Sequence, residues 1–329
     1  MLTSLQKPDM KTTNQCRVLI VDDVHPVLPE GLSKAGFEVL YVPENKPEEI
    51  IQNLLPTARV VVVRSKFQLD ESLLKRAEQL EVIARAGAGM DNIDEEYCRK
   101  HNILTINAGE ANSEAVADHT LGMLLMQRNY LHRADSQVRA GIWNREQNRG
   151  HELAGKTMAV IGYGNTGKAV AKRLPAFGLK VLVYDKYLSN FGSKEIQEAT
   201  MDQIFEEADL ISFHIPLTAE TKGMVNQNYL GAFKKNLVLL NLSRGGIVLT
   251  RDLVEALKSG KLQGACLDVL ENEKLETLTS AQKIDFDYLR NAQNVVLAPH
   301  IGGWSFESYQ KISEVLLKKL LEIHNRGLK

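Results

Sequence analysis

The chain has 329 residues, of which 44% are hydrophobic and 25% are charged, and its formal net charge is −1. This length suits two domains of ordinary size, and the composition is that of a globular protein that can bury large cores. The small net charge argues against nucleic acid or an acidic membrane surface as a partner.

The first fifteen residues lack the apolar core of a signal peptide, and we expect them to form a mobile tail. No later apolar stretch has the length of a membrane span. Three cysteines are spread along the chain without metal-ligand spacing, which predicts reduced thiols, a cytoplasmic location and no metal site.

Short apolar runs rich in β-branched residues alternate with amphipathic stretches along most of the chain. Runs that are apolar throughout are typical of strands buried on both faces, and intervening helices are typical of parallel sheets. The pattern therefore predicts an α/β protein with two doubly wound parallel-sheet domains. The predicted strands are residues 18–21, 39–42, 60–63, 82–85 and 103–106 in the first half, and 158–161, 181–184, 210–213, 237–241, 265–269 and 295–298 in the second.

A long helical segment, residues 113–139, separates the two series of strands, and Ser113 is the expected N-cap. A second amphipathic stretch, residues 305–327, ends the chain and has no strand series of its own, so we expect it to return to the first domain. This predicts a discontinuous substrate domain of residues 16–113 and 299–329, a nucleotide-binding domain of residues 114–298, and a ligand cleft between them.

The strand at residues 158–161 runs directly into the glycine-rich segment GYGNTG. Gly162 permits the tight turn, Gly164 lets a pyrophosphate approach the backbone, and Gly167 lets the next helix pack closely. The start of that helix, at Asn165 and Thr166, offers backbone amides and the positive end of the helix dipole to phosphate groups. The segment therefore predicts a dinucleotide site.

The strand after this turn ends at Asp185. An acid at this place can accept both ribose hydroxyls of NAD and repels the additional phosphate of NADP. Lys186 follows it, and a cation there could meet that phosphate. We predict NAD as the cofactor.

Polar residues follow three later strands, as Arg244, Glu273 and His300. The carboxyl ends of parallel strands meet at one edge of a sheet, so we expect these side chains near the glycine-rich turn. Arg244 can bind a carboxylate through a bidentate fork, and His300 can exchange a proton with a carbonyl or hydroxyl oxygen. Glu273 can hold the imidazole. Each alone is typical of a surface ion pair or a helix cap, but together they predict a hydride-transfer site.

In these features the chain resembles the D-isomer-specific 2-hydroxyacid dehydrogenases, from about Arg17 to the C-terminus. The motifs that carry the resemblance are RAGAGMDNID (85–94), NSEAVADHTLGMLL (112–125), GYGNTG (162–167), HIPLT (214–218), NLSRGG (241–246), LDVLENE (267–273) and PHIGG (299–303).

The resemblance implies a flavodoxin-like substrate domain, a Rossmann NAD-binding domain and a homodimer with residues 113–139 at its interface. It implies that Arg244, Glu273 and His300 are catalytic and that Asp268 orients the nicotinamide amide. Further cofactor-binding residues are expected at His214, Pro216, Ser243 and Gly302. The amides of Gly87, Ala88 and Gly89 are expected to take the substrate carboxylate, with Arg64, Ser65, Asn112 and Trp304 also at the substrate.

Within the family, VRSKF (63–67), RAGAGMDNID and AGIWNR (140–145) are most similar to the phosphoglycerate dehydrogenase branch. The favoured substrate is therefore 3-phosphoglycerate, which implies a role in serine biosynthesis. Trp304 stands where the family has a small residue, and the stretch from Glu273 to His300 is longer than usual. Glyoxylate, hydroxypyruvate or a larger 2-oxo acid is thus an alternative substrate, although Trp304 is equally suited to a core or dimer contact. A nonenzymatic NAD(H)-binding, corepressor-like module is an alternative of another class.

Overall fold

The structure is a computed structural model that describes residues 16–326, so the expected tail, residues 1–15, lies outside the described residues. The chain divides into two compact units, Met1–Ala108 with Tyr309–Lys329, and Gly109–Ser308. The first unit is thus discontinuous, and the chain returns to it near its end. The units divide at 108/109 and 308/309, where the sequence predicted 113/114 and 298/299.

The first unit contains a five-stranded parallel sheet with the order β2-β1-β3-β4-β5, which is the order of flavodoxin-like doubly wound sheets. Its strands are β1 (Arg17–Ile20), β2 (Glu38–Tyr41), β3 (Val60–Val63), β4 (Val82–Arg85) and β5 (Leu104–Asn107). Its helices are α1 (Val27–Lys34), α2 (Pro47–Glu49, continued by a π turn and a 3₁₀ turn to Thr57), α3 (Glu71–Leu74) and α4 (Glu95–Lys100).

The second unit begins with helices α5 (Ser113–Arg128) and α6 (Leu131–Arg139). Its strands are β6 (Thr157–Ile161), β7 (Lys180–Tyr184), β8 (Ile196–Glu198), β9 (Leu210–Phe213), β10 (Leu237–Asn241), β11 (Leu262–Leu267) and β12 (Val295–Leu297). Its other helices are α7 (Asn165–Arg173), α8 (Met201–Glu207), α9 (Gln227–Ala232), α10 (Thr250–Lys258) and α11 (Ser280–Asn291); α12 (Phe306–Asn325) starts in this unit and ends in the first. The parallel order β12-β11-β10-β9-β6-β7-β8 reverses at β6 and β9, as in a Rossmann sheet.

Alternate residues of the central strands pack on opposite faces of the seven-stranded sheet. Ala159 and Ile161 belong to one buried cluster, with side chains from α8, α9 and α10. Met158 and Val160 belong to the other, with side chains from α5 and α7. Because both faces are covered, the strands are apolar throughout. The predicted α/β fold with two parallel sheets is confirmed.

Three local features differ from the sequence predictions. The helix predicted over residues 113–139 is broken at Tyr130, which has a left-handed φ of 50°. Ser113 is the first helical residue and not the cap, because its hydroxyl donates to the Glu110 carbonyl (3.1 Å). Strand β8 was not predicted, because its sequence, IQE, has no apolar run. Among the described residues, no helix is long and apolar enough to cross a membrane, and no group of His, Cys, Asp or Glu side chains could hold a metal ion.

Candidate active site

The glycine-rich turn joins β6 to α7 and leaves space for a phosphate group. A Cβ on Gly167 would lie 1.9 Å from the Gly162 carbonyl oxygen, and one on Gly162, whose φ is +95°, would lie 2.4 Å from the His214 carbonyl oxygen. A Cβ on Gly164, in contrast, would meet nothing within 4 Å. Helix α7 starts at Asn165 without a side-chain cap, so the first amides, at Asn165 and Thr166, suit an anion. This cradle fits the pyrophosphate of a dinucleotide.

Asp185 follows β7 and faces this turn. Its Oδ2 accepts from the Tyr163 amide (2.7 Å), and its Oδ1 accepts from the amides of Tyr187 (2.9 Å) and Leu188 (3.0 Å). Burial raises the pKa of Asp185, but these hydrogen bonds outweigh it and hold the pKa below its ordinary value. A carboxylate offers about four lone-pair positions, so it can also accept from a ribose hydroxyl. Lys186 forms an ion pair with Glu220 on the surface. Its ammonium group is therefore already paired and is not left to bind the 2′-phosphate of NADP.

His214 follows β9, at the point where the order of the sheet reverses. Its Nε2 lies 2.8 Å from the Ser212 hydroxyl, and its Nδ1 is buried without a hydrogen-bond partner among the described residues. Burial lowers the pKa of His214 to about 4, so the ring is neutral near pH 7. Pro216, two residues on, is exposed, and its carbonyl accepts from the Thr221 hydroxyl (2.7 Å). Ligands of doubly wound sheets bind at such a reversal.

The loop after β10 carries Arg244 and is shaped by Asn241, which is fully buried. Asn241 Oδ1 accepts from the Ser243 amide (3.2 Å) and hydroxyl (2.9 Å), and its Nδ2 donates to the Arg244 carbonyl (3.0 Å). Arg244 Nη1 donates to the Ser243 carbonyl (2.6 Å). Asn241 was not predicted as a site residue, although a polar residue that ends an apolar strand is the signal of an Asx turn.

His300 and Glu273 form a hydrogen-bonded pair after β12 and β11. His300 Nδ1 lies 3.0 Å from Glu273 Oε2, and both side chains are a little under half exposed. This contact leaves Nε2 as the ring nitrogen for proton exchange. His300 has a φ of 57°, which is costly for a residue with a Cβ and marks many functional positions.

Asp268, directly after β11, holds the backbone that carries His300. Its carbonyl accepts from the His300 amide (2.7 Å), its Oδ1 from the Ile301 amide (2.9 Å) and its Oδ2 from the Gly302 amide (2.8 Å). Burial raises the pKa of this carboxyl, but the nearby imidazole of His119 and the two amides hold the pKa below its ordinary value.

The glycines after His300 are required by these contacts. A Cβ on Gly302 would lie 2.8 Å from Asp268 Oδ2, and one on Gly303 would lie 2.5 Å from Asn112 Nδ2. Trp304 closes the turn by donating its amide to the Ile301 carbonyl (2.9 Å), and its side chain is 52% exposed. Because it is this exposed, the indole ring does not lie in the core of this unit.

The strand order brings five predicted residues of the second unit to one sheet edge. His300, Asp268, Arg244, His214 and Gly162 follow β12, β11, β10, β9 and β6, which are neighbours in that order. Glu273 lies at the same edge, because its carboxylate is hydrogen-bonded to His300.

The predicted substrate residues of the first unit follow β3 and β4, which are also neighbours. Asp22 Oδ2 accepts from the amides of Arg64 (2.6 Å) and Ser65 (3.2 Å) and so fixes the loop after β3. Gly87 is buried with a φ of 152°, and its carbonyl accepts from the Ala108 amide (2.8 Å).

The rest of the 87–89 loop is tied to the neighbouring strand. The Ala88 carbonyl accepts from Asn107 Nδ2 (2.9 Å), and Gly89 follows it. The guanidinium of Arg85, at the end of β4, lies against Gly87, where a Cβ would come 1.5 Å from Nη1. Arg85 and Asp22 were not predicted as site residues. The partners of Asp22 are more than forty residues away in the sequence, so no local pattern indicates them.

Comparisons with known proteins agree with this geometry. Residues 121–302 match the model of the D-isomer specific 2-hydroxyacid dehydrogenase, NAD binding domain. The chain is 34% identical to a D-3-phosphoglycerate dehydrogenase of Methanocaldococcus jannaschii, over 94% of this chain and 58% of that protein. It is 32% identical to a hydroxypyruvate reductase of Thermotoga maritima, over 85% of this chain and 89% of that protein.

A solved structure of a D-lactate dehydrogenase from Aquifex aeolicus, complexed with NAD and lactic acid, is 29% identical, with a TM-score of 0.82 over 95% of this chain and 96% of that chain. The chain spans 50 to 58% of the length of the phosphoglycerate dehydrogenases that it matches. The prediction of NAD as the cofactor is confirmed by the match to the NAD binding domain. With the Rossmann order and the family motifs in place, the chain belongs to the D-isomer specific 2-hydroxyacid dehydrogenase family.

Proposed function

We propose that the protein is an NAD-dependent oxidoreductase that interconverts a D-2-hydroxy acid and the corresponding 2-oxo acid. The observation that carries this proposal is the His300–Glu273 pair, joined at 3.0 Å at the same sheet edge as the phosphate-binding turn. A proton-exchanging imidazole at that edge suits a reaction in which a hydroxyl is oxidised.

NAD, when bound, supplies the nicotinamide ring that accepts the hydride from C2 of the hydroxy acid or returns it to the oxo acid. His300 Nε2 takes the hydroxyl proton during oxidation and gives it back during reduction. Glu273 fixes the other proton of the ring on Nδ1 and stabilises the imidazolium that forms. Arg244 binds the substrate carboxylate and polarises the C2 oxygen.

The remaining predicted residues bind the two ligands. Gly162, Gly164, Asn165, Thr166 and Gly167 form the phosphate cradle, and Asp185 accepts from the ribose. His214, Pro216, Ser243, Asp268 and Gly302 line the cofactor further along the sheet edge. In the first unit the amides of Gly87, Ala88 and Gly89 bind the carboxylate, whereas Arg64 and Ser65 bind the distal end of the substrate. Asn112 and Trp304 complete the substrate set.

We favour 3-phosphoglycerate as the substrate. Arg64 directly follows β3, and Arg85 is the last residue of the neighbouring strand β4, so two arginines lie at the same edge of the sheet. Guanidinium groups suit phosphate. The 34% identity to a phosphoglycerate dehydrogenase supports the same choice. This substrate implies a role in serine biosynthesis in the cytoplasm.

Hydroxypyruvate or glyoxylate is the second candidate. The hydroxypyruvate reductase relative is matched over 89% of its length, against 58% for the phosphoglycerate dehydrogenase. The exposed Trp304, four residues after His300, also favours a substrate without a phosphate, because an indole ring offers apolar surface.

A panel of acids tests the proposal: 3-phosphoglycerate and unphosphorylated D-2-hydroxy acids with NAD or NADP, and the 2-oxo acids with NADH or NADPH. We expect turnover with NAD(H) and the highest kcat/KM for 3-phosphoglycerate. Good turnover of hydroxypyruvate with none of 3-phosphoglycerate would select the second candidate. NADH binding without turnover of any acid would select a nonenzymatic, corepressor-like module.

A further inference from the structure

The segment that carries His300 is wrapped around one buried carboxylate. Three successive amides, those of residues 300, 301 and 302, donate to the carbonyl and the two carboxylate oxygens of Asp268. Asp268 is only 2% exposed. A buried carboxylate is stable as an anion only when hydrogen bonds or an opposite charge compensate it. The position of His300 therefore depends on what compensates Asp268.

His119, on α5, lies against this carboxylate. Its Nε2 is 3.6 Å from Asp268 Oδ1, which is within ion-pair distance but too long for a formed hydrogen bond. The same Nε2 is buried and has no hydrogen-bond partner among the described residues. The ring also lines the loop, because a Cβ on Gly302 would lie 3.5 Å from His119 Cδ2.

We propose that His119 is a positioning residue for His300. Its Nε2–H faces Asp268 Oδ1, favours the anionic carboxylate, and thereby keeps the amides of Ile301 and Gly302 bound. These bonds hold the left-handed backbone of His300 and its contact with Glu273. The proposal rests on the proposed function only in that His300 is the proton-exchanging group; the support of the loop by His119 is independent of it.

The chemistry of the side chain explains why a donor is needed at this place. Oδ1 already accepts from Ile301, so an apolar ring at position 119 would remove the attraction without relieving the burial of the charge. The anionic form of the carboxyl group would then be less stable, and a protonated carboxyl group is a poorer acceptor for two amides. A glutamine would restore a donor at nearly the position of Nε2, without the ability to take up a proton.

The first test measures amide hydrogen exchange in the protein without added cofactor, comparing His119→Phe, His119→Gln and the wild type. Losing a hydrogen bond to a charged acceptor changes an equilibrium by about tenfold or more. We expect the amides of Ile301 and Gly302 to exchange about tenfold faster in His119→Phe and within about twofold of the wild type in His119→Gln. His151→Phe is the matched control, because His151 is an exposed histidine of the same unit.

The second test is steady-state kinetics with the best acid found. His119→Phe should lower kcat by about tenfold with KM for the acid within about twofold, because the proton-exchanging group is displaced and the carboxylate-binding residues are not. His119→Gln should recover most of kcat. If His119→Phe does not fold, His119→Leu removes the donor with a smaller side chain.

Wild-type exchange rates in the phenylalanine or leucine variant would overturn the proposal, and so would equal losses in the glutamine and phenylalanine variants. If the wild type turns over no acid, the proposed function fails, yet the exchange rates at residues 301 and 302 still decide the role of His119.

Discussion

At the scale of single residues, His300 combines a strained backbone with the contact that defines its chemistry. Its φ of 57° is held by the bond from its amide to the Asp268 carbonyl, and its ring is held by Glu273. Removing a general acid–base group costs about 10²–10⁴-fold in rate. We expect His300→Gln to lower kcat by that factor while the Kd for NADH changes little, as measured by fluorescence titration.

The control for this change is His101→Gln, because His101 is an exposed histidine stacked on Tyr97 (ring centroids 3.9 Å apart) outside the proposed site. We expect kcat in that variant to equal that of the wild type. Wild-type turnover by His300→Gln would remove His300 from the mechanism.

His214 gives a prediction about stability and pH. Burial lowers its pKa to about 4, whereas a histidine in the unfolded chain has a pKa of about 6.5. As the pH falls between these values, the unfolded chain takes up a proton that the folded chain does not. His214 therefore makes its full contribution to the free energy of unfolding above about pH 6.5. This contribution, at most about 3 kcal/mol, is lost as the pH falls towards 4.

The measurement is urea unfolding of the wild type and of His214→Gln at pH 7 and pH 4.5. Both proteins contain the same carboxylates, so the difference between them isolates His214. Between pH 7 and pH 4.5, we expect the free energy of unfolding to fall by about 2–3 kcal/mol more in the wild type than in the variant. Parallel losses would mean that the folded protein accommodates a charged His214.

Single residues also show where sequence reasoning ends. His300, Glu273 and Arg244 could be proposed because each follows an apolar strand and carries recognisable chemistry. Asn241 was missed although its Asx turn is a local signal, since its partners are only two and three residues away. Asp22 could not be proposed, because its importance lies in hydrogen bonds to backbone amides that only the folded chain brings within reach. The bonds of Asp22 fix the loop after β3 and do not appear as a local pattern in the sequence.

At the scale of elements, the turn between β6 and α7 contains one glycine that the fold requires and another that we expect to matter only for cofactor binding. A Cβ at Gly167 would overlap the Gly162 carbonyl oxygen at 1.9 Å, so Gly167→Ala should destabilise the protein by about 1–3 kcal/mol. Gly164 has a φ of −72° and open space beside it, so Gly164→Ala should fold normally. The added methyl would nevertheless occupy the phosphate position and weaken NADH binding.

Thermal unfolding and NADH titration of both variants test this division. A lower Tm in Gly167→Ala and a higher Kd with an unchanged Tm in Gly164→Ala are expected. If Gly164→Ala binds NADH as the wild type does, the open space beside Gly164 is not where the phosphates lie.

The end of β7 determines the expected cofactor preference. Asp185→Gly removes the ribose acceptor and a negative charge, so the ratio of kcat/KM for NADH to that for NADPH should fall. Lys186→Ala is the comparison, because the ion pair with Glu220 already occupies that cation, and the ratio should change little. An unchanged ratio in Asp185→Gly would exclude this carboxylate as the ribose acceptor.

Most strands could be placed from the sequence to within one or two residues, because a strand buried on both faces shows as an uninterrupted apolar run. The exceptions have no uninterrupted apolar run. Strand β11 starts three residues before its predicted position, because Gln263 and Gly264 interrupt its run. Strand β8 is three residues at a sheet edge, and the break at Tyr130 depends on one left-handed residue inside a continuous amphipathic pattern.

At the scale of the whole molecule, the second unit exposes four apolar side chains within residues 131–143, which we call the α6 cluster. Leu131 and Val138 on α6, and Ile142 and Trp143 directly after it, are each at least half exposed, and Trp143 is 80% exposed. Clustered exposed apolar side chains mark protein interfaces. This segment overlaps the region that the family resemblance assigns to a dimer, so we propose a second copy of the chain as the occupant.

The expected result is a homodimer in sedimentation velocity, and a monomer for the double variant Val138→Asp/Trp143→Asp, because desolvating two charges opposes burial of the cluster. The matched control is Ile284→Asp, on α11, which is 63% exposed and lies outside the cluster. That variant should stay dimeric. If the double variant dimerises with the wild-type dissociation constant, the interface lies on another surface. If the wild type is a monomer, a second copy of the chain does not cover the cluster.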